Sequence, residues 1–576
     1  MSTLLRLRTA KNLKDLSIIL GYEPKKLSYI LYKIPEQEKY NSFEINKKDG
    51  GKRLIEAPIP QIKKLQKHLC NILTLCSVEL AKDSPNNILS HGFKKGASIQ
   101  TNAQKHKNKR FILNFDIKDF FWSINFGRVR GFFIKNKDFL LDDKVATIIA
   151  QIACYNGRLP QGSPTSPIIS NLIAHLLDIR LVGVAKKYGC VYSRYADDIT
   201  FSTNQKEFPL DLVRRSSENP ELLLLGTPIE EEVKRSGFCV NPLKTRLKYR
   251  DTRQVVTGLV VNKKINVRSE YYRLARAMCH SYYKTGKYLI PSKISPIDIP
   301  STLCDSDVKA DLNRLGGILS YIFYTRNYSD QRCLRDKQDN KSGIWKMYRD
   351  FIYFKIFGAL ERPLILCEGP TDSIYLKAAI KSLHNEYPEL IEKCSERFIY
   401  NISFLKYSKT IRELLHLTGG TGELANFVGY YASMAKQYVI WNPMHPVIIV
   451  TDNDGKRKNA ATKVFAAVKQ NSKNSHPTTE DDSDFFHINN NLYLVKMPHI
   501  NNKKQTIIED FFDDKVLNTE MNGRKFSADN DADSKTFYTK AFFAENVVAK
   551  NAHGINFNGF KPILNRLVMT IKDYYN

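Results

Sequence analysis

The sequence predicts a multidomain protein, with an α+β region first and an α/β domain with a mainly parallel sheet after it. Three observations predict this fold class. The chain has 576 residues, enough for two to four domains that each bury a core. Short strands in Gly-containing hairpins alternate with amphipathic helices in the first half. Beyond residue 360, near-continuous apolar strands alternate with helices, which is typical of a parallel sheet covered on both faces.

Composition along the chain predicts where the domains begin and end. The polar, charge-rich stretch "TRNYSDQRCLRDKQDNKSG" indicates a linker between the two regions. We expect a helical segment at 1–45, two parts of the α+β region at 46–255 and 256–325, a linker at 326–355, and the α/β domain with a C-terminal helical extension at 356–576.

The whole chain has a net charge of +29, and this positive charge is concentrated in its first part. Residues 1–350 carry 60 Lys and Arg against 34 Asp and Glu, whereas residues 351–576 carry 28 against 25. Solubility alone does not require such an asymmetry. We therefore expect the first 350 residues to bind a polyanion, most simply a nucleic acid.

Composition also restricts the compartment. The longest apolar runs are too short to cross a membrane, and the N-terminus "MSTLLRLRTAKNLKDL" lacks the apolar core and cleavage site of a secretory signal. The ten cysteines never form a CxxC pair, which argues for reduced thiols and against a disulfide framework or a zinc site. We expect a cytoplasmic protein with no membrane partner.

Two adjacent acids, Asp197 and Asp198, lie at the predicted tip of the hairpin "YSRYADDITFS". Adjacent carboxylates repel each other, and strands disfavour both. A turn tolerates Asp, so a structural role is one explanation. The other is a metal site completed by Asp116, which ends the apolar strand "FILNFD". Three carboxylates suit two Mg²⁺ ions, which take oxygen ligands and leave positions for phosphates.

Basic and glycine-rich segments surround these acids in the sequence. "NKKDGGKRLIEAPIP" predicts a hairpin with basic residues at its turn. "LPQGSPTSPIISNLIAHLLD" predicts a Gly/Ser/Pro turn that opens a helix, where backbone N–H groups can contact a nucleotide. "RSEYYRLARAMCHSYYKTGKY" predicts a basic, aromatic helix.

Four segments, "FDIKDFF", "LPQGSPTSPIISN", "YSRYADD" and "NPLKTRLKYR", resemble the palm motifs of reverse transcriptases in order and spacing. "NAQKH" and "VTG" are similar to two blocks of the retron type. The resemblance covers about residues 15–320. It implies a right-hand polymerase, with fingers and palm in 46–255 and a helical thumb in 256–325. It also implies that the enzyme copies part of a cognate structured noncoding RNA into branched RNA–DNA (msDNA), using dNTPs and Mg²⁺.

The same resemblance implies roles for individual residues. Asp116, Asp197 and Asp198 would hold the catalytic metals. The nucleotide-binding residues would be Lys52 and Arg53 at the triphosphate, Phe121 under the sugar, Gln161 and Gly162 along the nucleotide, and Lys244 near the leaving phosphate. The RNA-recognition residues would be Asn102, His106, Val256, Thr257 and Gly258. Open alternatives are a plain core role for Phe121, a phosphate contact without proton donation for Lys244, and a surface role for His106.

In the second region, acids follow three predicted strands. Glu368 and Asp372 follow "RPLILC", Asp452 and Asp454 follow "HPVIIVT", and Glu509 lies in "TIIEDFF" beyond "NNLYLVKMPH". The carboxyl ends of parallel strands meet at one edge of a sheet, so we expect these acids to form a second Mg²⁺ site for phosphodiester chemistry. Any one of them could instead be a helix N-cap.

This arrangement resembles the TOPRIM domain of topoisomerases, primases and OLD-type nucleases, over about residues 360–515. "LTGGTGELANF" fits a Gly-bearing turn of that domain, and "IEDFF" resembles a later acidic block of the nuclease branch. A topoisomerase needs a tyrosine-bearing cleavage domain and a primase would be redundant, so the resemblance implies a metal-dependent nuclease. Lys535 or Lys540 is a candidate for neutralising transition-state charge.

Together the two resemblances imply a retron reverse transcriptase fused to a nuclease effector. They imply a role in bacterial anti-phage defence of the toxin–antitoxin type, in which the msDNA inhibits the nuclease. A homo-oligomer is expected, and the nucleic-acid substrate of the nuclease stays open. Two alternatives remain at this stage. The TOPRIM part could be a non-catalytic docking or oligomerisation module, or the polymerase could be a group II intron maturase.

Overall fold

A computed structural model describes residues 2–46, 50–81, 89–216, 222–290, 308–395, 397–455, 461–500, 503–528, 533 and 535–576. The chain divides into two compact units, residues 1–268 and residues 269–576. Each unit has a hydrophobic core of its own. The boundary between the units, at 268/269, coincides with none of the predicted boundaries at 45/46, 255/256, 325/326 and 355/356.

The first unit mixes helices with short antiparallel strands. Its helices are α1 (Thr3–Thr9), α2 (Leu13–Leu20), α3 (Pro24–Ser28), α4 (Pro60–Ala81), α5 (Ile99–Lys105), α6 (Phe126–Lys135), α7 (Asp143–Ala153), α8 (Ser166–Lys187) and α9 (Thr227–Arg235). Its strands are β1 (Tyr40–Asn46), β2 (Lys52–Pro58), β3 (Phe111–Ile117), β4 (Val191–Tyr195), β5 (Asp198–Thr203), β6 (Val213–Arg215), β7 (Leu223–Leu225), β8 (Val240–Tyr249), β9 (Val255–Val256) and β10 (Leu259–Val260).

A four-stranded antiparallel sheet in the order β4-β5-β3-β8 is the centre of this unit. On one face of the sheet, Leu113 and Phe115 of β3 and Phe201 of β5 are buried in the main hydrophobic core. Burying large side chains of this kind contributes about 1.5–3 kcal/mol each. This packing fixes the register of the sheet, since a one-residue slip would turn the apolar set to the other face.

Helix α8 is long and apolar enough to span a membrane by length and composition. Ile169, Ala174, Leu177 and Leu181 of this helix, however, are fully buried in the same core as the sheet. In this unit α8 is therefore a core helix.

The second unit is an α/β structure. Its helices are α10 (Ser269–Thr285), α11 (Leu312–Arg326), α12 (Leu334–Gln338), α13 (Gly343–Tyr353), α14 (Pro370–Ser382), α15 (Lys409–Leu415), α16 (Thr421–Ala435), α17 (Thr462–Asn471), α18 (Asp514–Leu517), α19 (Lys540–Phe542), α20 (Ala549–Asn551) and α21 (Lys561–Tyr575). Its strands are β11 (Tyr288–Leu289), β12 (Val308–Lys309), β13 (Leu364–Cys367), β14 (Ile391–Cys394), β15 (Arg397–Tyr400), β16 (Ser403–Phe404), β17 (Val447–Thr451), β18 (Phe486–Asn489), β19 (Leu492–Lys496), β20 (Lys525–Phe526) and β21 (Phe537–Tyr538).

Five of these strands form the predicted mainly parallel sheet, in the order β16-β13-β17-β19-β18. The first four strands run parallel, and only β18 is antiparallel to its neighbour. Every residue of β13, β17 and β19 is buried, so both faces of the sheet are covered. The carboxyl ends of β13 and β17 consequently lie side by side, which brings Glu368 and Asp452 to one edge of the sheet.

The structure differs from the sequence prediction at the linker. Residues 326–355 contain α12 and α13, and Trp345, Tyr348 and Phe351 are buried in the second unit. The ring of Trp345 packs edge-on against Phe323 of α11, with centroids 4.8 Å apart. The charge-rich composition before residue 343 concealed the helical spacing of the apolar residues after it. The predicted thumb helix α10 also belongs to the second unit and not to the first.

We predict that Trp345→Ala lowers the free energy of unfolding of the second unit by about 3–5 kcal/mol, because it leaves a large cavity beside Phe323. Thermal and urea unfolding of the full chain followed by circular dichroism would measure this. Leu334→Ala, in the same region but exposed, is the matched control and should change stability by about 0.5 kcal/mol or less. Equal, small effects of the two substitutions would support a linker.

Candidate active sites

The paired acids lie at the tip of the β4–β5 hairpin, as predicted. Tyr195 pairs with Asp198, so only Ala196 and Asp197 form the turn. Ala196 has φ 56°, a left-handed conformation that costs a non-glycine residue on the order of 1 kcal/mol. Asp116 on β3 is the register partner of Asp198 on β5. The three carboxylates predicted from separate segments are therefore neighbours at one end of the sheet.

Burial and neighbouring carboxylates destabilise the charged forms of Asp197 and Asp198. Burial raises the pKa of Asp197, and the charge of Asp116 raises it further. Solvent still reaches Asp198, yet partial burial raises its pKa to about 7, with further contributions from Asp197 and Asp116. Two carboxyl groups with raised pKa values at one sheet end are typical of a functional site.

Two basic side chains oppose this negative charge. The ammonium of Lys244, on β8, donates a hydrogen bond to Asp116 Oδ2 at 3.1 Å. Burial lowers the pKa of Lys244, but its bond to Asp116 and the charges of all three acids outweigh this, so the pKa is raised overall. Arg53, in the β1–β2 hairpin, lies near enough to Asp197 to lower its pKa. Lys52 forms an exposed ion pair with Glu44 across that hairpin, with 2.7 Å between Nζ and Oε2.

The donor set of the tip fits a divalent cation of the Mg²⁺ type. Carboxylate oxygens are the hard ligands that Mg²⁺ prefers, and the charge of Asp116 contributes to the raised pKa values of both Asp197 and Asp198. Within the described part of the chain, no three acidic, His or Cys side chains already form a compact metal-binding cluster. Lys244 bonds to Asp116 instead.

A buried ion pair that the sequence did not reveal supports the tip from behind. The guanidinium of Arg194, on β4, is fully buried and donates to both carboxylate oxygens of Asp178 on α8, at 2.7 and 2.8 Å. It also donates to the carbonyl of Ala196 at 2.9 Å. Gly92 packs so closely that a Cβ there would lie 2.6 Å from the backbone nitrogen of Ala196. These contacts hold the strained turn in place.

The Gly-bearing turn before α8 is fixed on the β1–β2 hairpin. The backbone N–H of Glu56 donates to the carbonyl of Gln161 at 2.7 Å. Gly162 has φ 126°, and a Cβ there would lie 2.7 Å from the carbonyl oxygen of Glu56, so only glycine fits. Phe121 is partly buried beside Phe93 and Phe120, with ring centroids 6.1 and 5.5 Å away. Its side chain is open enough to contact a ligand.

The structure contradicts direct RNA contacts by the side chains of Asn102 and His106, which are 1% and 0% exposed. The two nitrogens of His106 bond to Ser202 and Ser193 at 2.7 Å each, and Ser193 donates to Asn102 at 2.5 Å. These bonds fasten α5 to β4 and β5. Burial lowers the pKa of His106 to about 3, so the ring is neutral.

The other predicted RNA-recognition residues pack on the same helix. Val256 is buried with Ala103 of α5 in a small apolar cluster. Thr257 and Gly258 form the tight β9–β10 turn, both with positive φ, and the Thr257 hydroxyl donates to the carbonyl of Ile99 at 3.1 Å. Of this set, Gly258 is exposed and Thr257 is partly exposed.

A second acidic cluster lies at the carboxyl ends of β13 and β17 in the second unit. Burial raises the pKa of Glu368 to about 7, and the charges of Asp372 and Asp454 add to this. Burial also raises the pKa of Asp452 well above its usual range, followed by the charges of Glu368 and Asp372. Among the described residues, the buried Oε2 of Glu368 has no hydrogen-bond partner. An unpartnered buried carboxylate oxygen fits a metal ligand of the Mg²⁺ type.

Glu509 and Lys540 complete this cluster. Glu509 is 2% exposed, and its two carboxylate oxygens lie 2.9 and 3.0 Å from the ammonium of Lys540. Burial lowers the pKa of Lys540, but the charges of Glu509, Asp452 and Asp372 raise it overall. Of the two lysines that the sequence suggested, only Lys540 lies at the cluster, because Lys535 is exposed in a turn.

The remaining two acids have structural bonds as well. Asp372 accepts the backbone N–H of Gly369 at 2.8 Å and so caps α14, while burial raises its pKa to about 6. Asp454 accepts the backbone N–H of Ala461 at 2.9 Å. The predicted glycine turn lies beside the cluster, since the backbone N–H of Gly420 donates to the carbonyl of Glu368 at 2.9 Å.

We predict that Asp178→Asn lowers the free energy of unfolding by about 3–5 kcal/mol, because it leaves the buried Arg194 charge without its partner. Thermal unfolding of the full chain measures this. Asp143→Asn breaks the exposed ion pair with Arg130 and should cost about 1 kcal/mol or less. Similar losses in both variants would rule out a special structural role for the buried pair.

Comparisons with known proteins give a family for a region that covers most of the first unit and α10 of the second. The model of the reverse transcriptase (RNA-dependent DNA polymerase) family matches residues 45–289. The retron Mx162 and Mx65 reverse transcriptases of Myxococcus xanthus are 35% and 32% identical, over 42% and 52% of this chain and 52% and 64% of their own. Thus the chain spans about half to two thirds of these two relatives. A telomerase structure from Candida albicans covers 56% of this chain and 64% of its own, at 13% identity and a TM-score of 0.31, too low to bear on the fold.

The family assignment rests on a relative of which this chain covers a larger share. The retron Ec86 reverse transcriptase of Escherichia coli is 32% identical over 283 residues, which are 48% of this chain and 80% of the relative. Residues 45–289, which the family model matches, contain the acidic tip, the turn at Gly162, the buried Asn102 and His106, and the turn of Thr257 and Gly258. This chain belongs to the retron reverse transcriptase family.

Proposed function

We propose that the first unit is an RNA-directed DNA polymerase of the retron type. The observation that carries this proposal is the register that sets Asp116 beside Asp198, at the end of a sheet whose hairpin tip adds Asp197. Family membership supports it. When bound, two Mg²⁺ ions at these carboxylates would activate a primer hydroxyl and stabilise the leaving pyrophosphate.

The other residues of the site hold the nucleotide. Arg53 meets the triphosphate, and the turn at Gln161 and Gly162 gives the nucleotide a rigid backbone edge because it is fixed on β2. Phe121 packs under the sugar and rejects a 2′-hydroxyl. Lys244 is charged throughout the neutral range, since its pKa is raised, and so can donate a proton or a hydrogen bond to the leaving phosphate.

The template and primer in this proposal are a cognate structured noncoding RNA, extended from a 2′-hydroxyl into branched RNA–DNA. The positive excess over residues 1–350 supports an RNA partner. Asn102 and His106 act by holding α5 against the sheet. Because Thr257 is hydrogen-bonded to Ile99 of α5, this fixes the turn of Thr257 and Gly258, which contacts RNA. Structured RNA is recognised largely by shape and loops, which suits a rigid turn.

We propose that the second unit is a metal-dependent nuclease with a TOPRIM-like arrangement. Two observations support this proposal. In the part of the chain that the structure describes, a buried carboxylate oxygen of Glu368 has no hydrogen-bond partner and lies at the end of β13, beside Asp452 at the end of the parallel strand β17. Lys540 lies at the same cluster and can neutralise charge that develops on a phosphate. A nuclease effector fused to a retron polymerase fits a role in anti-phage defence in the cytoplasm, with its activity restrained by bound msDNA. A non-catalytic docking module would not need an unpartnered buried carboxylate.

Asp198→Asn and Asp116→Asn should lower DNA synthesis on an RNA template at least about 10³-fold, because each removes a charge that holds the metals. Radiolabelled dNTP incorporation by the purified full chain measures the rate. Chelation of divalent ions should abolish synthesis and added Mg²⁺ should restore it. Asp143→Asn, an exposed acid in the same unit, is the control and should keep wild-type activity. Activity in the Asp198 variant would contradict the proposed site.

Glu368→Gln and Asp452→Asn should abolish Mg²⁺-dependent cleavage of nucleic acid by the full chain while DNA synthesis persists. Gel assays with labelled DNA and RNA, in parallel with the dNTP incorporation assay, measure both activities. Glu361→Gln, an exposed acid just before β13, is the matched control. If the Glu368 and Asp452 variants cut as well as the control, the second unit has no nuclease site at this cluster.

A further inference from the structure

A buried carboxylate on β2 lacks a hydrogen-bond partner. Glu56 is 1% exposed, and among the residues that the structure describes its Oε2 atom has no partner. Strand β2 pairs with β1 in an unbroken register, so Arg53 and Glu56, three residues apart, lie on opposite faces of the strand. The side chain of Arg53 is exposed. Glu56 therefore lies behind the strand that carries a proposed triphosphate contact.

Arg158 faces this carboxylate at a long distance. Its Nη2 atom lies 3.8 Å from Oε1 of Glu56, which is beyond hydrogen-bond range. The Nε of Arg158 is buried and, within the described ranges, has no hydrogen-bond partner either. Burial raises the pKa of Glu56 by more than the charge of Arg158 lowers it. Because the charged form of Glu56 is disfavoured in the folded chain, the pair adds no stability at neutral pH.

Arg158 also contacts the segment that carries Phe121. Its guanidinium lies over the ring of Trp122, with Cζ 4.2 Å from the ring centroid, and Trp122 directly follows Phe121 in the chain. The Nε1 of Trp122 is a third buried polar atom that has no partner in the described part of the chain. Buried polar atoms are ordinarily paired, so three unpaired ones on side chains in contact need an explanation other than stability.

Backbone hydrogen bonds tie both residues to the glycine turn. The N–H of Arg158 donates to the carbonyl of Tyr155 at 3.1 Å, and the N–H of Tyr155 donates back at 2.9 Å. Arg158 is therefore fixed three residues before Gln161. From β2, the N–H of Glu56 donates to the carbonyl of Gln161 at 2.7 Å. The side chains of Glu56 and Arg158 thus meet beside the turn of Gln161 and Gly162.

We propose that Glu56 and Arg158 are positioning residues for the incoming nucleotide. Arg158 joins the three elements that hold the nucleotide in the proposed polymerase, on which this inference rests: β2 through Glu56, the segment of Phe121 through Trp122, and the glycine turn through its own backbone. A guanidinium suits this task because it presents a flat face to an aromatic ring and N–H groups in its plane to a carboxylate. Small misplacements of a reacting group cost large factors in rate.

Single-nucleotide extension of a DNA primer on an RNA template by the full chain separates KM from kcat. Glu56→Gln and Arg158→Gln should each raise the KM for dNTP about tenfold and leave kcat within about threefold, because the metal-binding acids are untouched. The double variant should resemble the single ones, since either substitution breaks the same pair. Arg158→Lys keeps the charge without the flat group and should restore only part of the effect. Arg130→Gln, which breaks the exposed pair with Asp143, is the matched control and should behave as wild type.

Thermal unfolding of the same variants distinguishes positioning from a structural role. The pKa of Glu56 is raised in the folded chain, so Glu56→Gln removes a charge that folding disfavours at neutral pH. Its unfolding midpoint should equal or exceed that of the wild type. A structural ion pair would instead lower the midpoint and impair kcat and KM together. Loss of stability in Glu56→Gln, or unchanged KM values in both single variants, would overturn the proposal.

Calorimetric titration of dNTP into the chain bound to an RNA template and a dideoxy-terminated DNA primer measures nucleotide affinity without synthesis. The two glutamine variants should bind dNTP about tenfold more weakly than the wild type. If dNTP binding depends on these residues but the wild type does not extend an ordinary primer, the polymerase fails and the positioning role stands. If the wild type extends primers and the variants match it, only the positioning role fails. A wild type that neither binds dNTP nor makes DNA would refute both.

Discussion

The burial of several carboxylates side by side at the end of a sheet is the constraint on which both units depend. In the first unit, burial raises the pKa values of Asp197 and Asp198, and the charge of Asp116 raises both further. In the second unit, burial raises the pKa of Asp452, and the charge of Glu368 adds to this. A carboxyl group whose pKa is higher in the folded state holds its proton longer there. Its contribution to stability is therefore present at low pH and is lost as the pH rises from about 4 to about 7, through the unfolded and then the folded pKa values. At neutral pH the fold keeps these charges together at a cost, which a bound divalent cation would offset.

The rest of each unit supplies the rigidity that keeps the acids in place. In the first unit, the buried pair of Arg194 and Asp178 and the close approach of Gly92 hold a turn in which Ala196 is strained. In the second unit, parallel strands buried on both faces set the positions of Glu368 and Asp452. Lys540 forms an ion pair with Glu509 beside them and so offsets part of the negative charge of the cluster. Strain and like charges at a site, with compensation elsewhere, are common where a structure serves chemistry.

Sequence patterns predicted the local features well. The hairpin tip with Asp197, the strand that carries Asp116, and the parallel strands before Glu368 and Asp452 all follow from apolar periodicity and turn residues, although β3 continues one residue past Asp116 to Ile117. Features that depend on distant partners were not predictable. Arg194 reads as an ordinary strand residue until the fold brings Asp178 against it, and the burial of His106 depends on two serines from other strands. The helix with Trp345 was not predicted for a different reason. The charged residues before it indicated a linker, although the apolar residues within it have helical spacing.

The chain would be purified after co-expression with the noncoding RNA that we propose as its template. The bound nucleic acid would be extracted and treated with RNase, DNase and a debranching enzyme, for the wild type and for Asp197→Ala/Asp198→Ala. We predict a DNA strand joined to RNA through a 2′-linkage that debranching releases, present only with the wild type. RNA alone in both samples would contradict it and would leave the first unit as an RNA-binding scaffold.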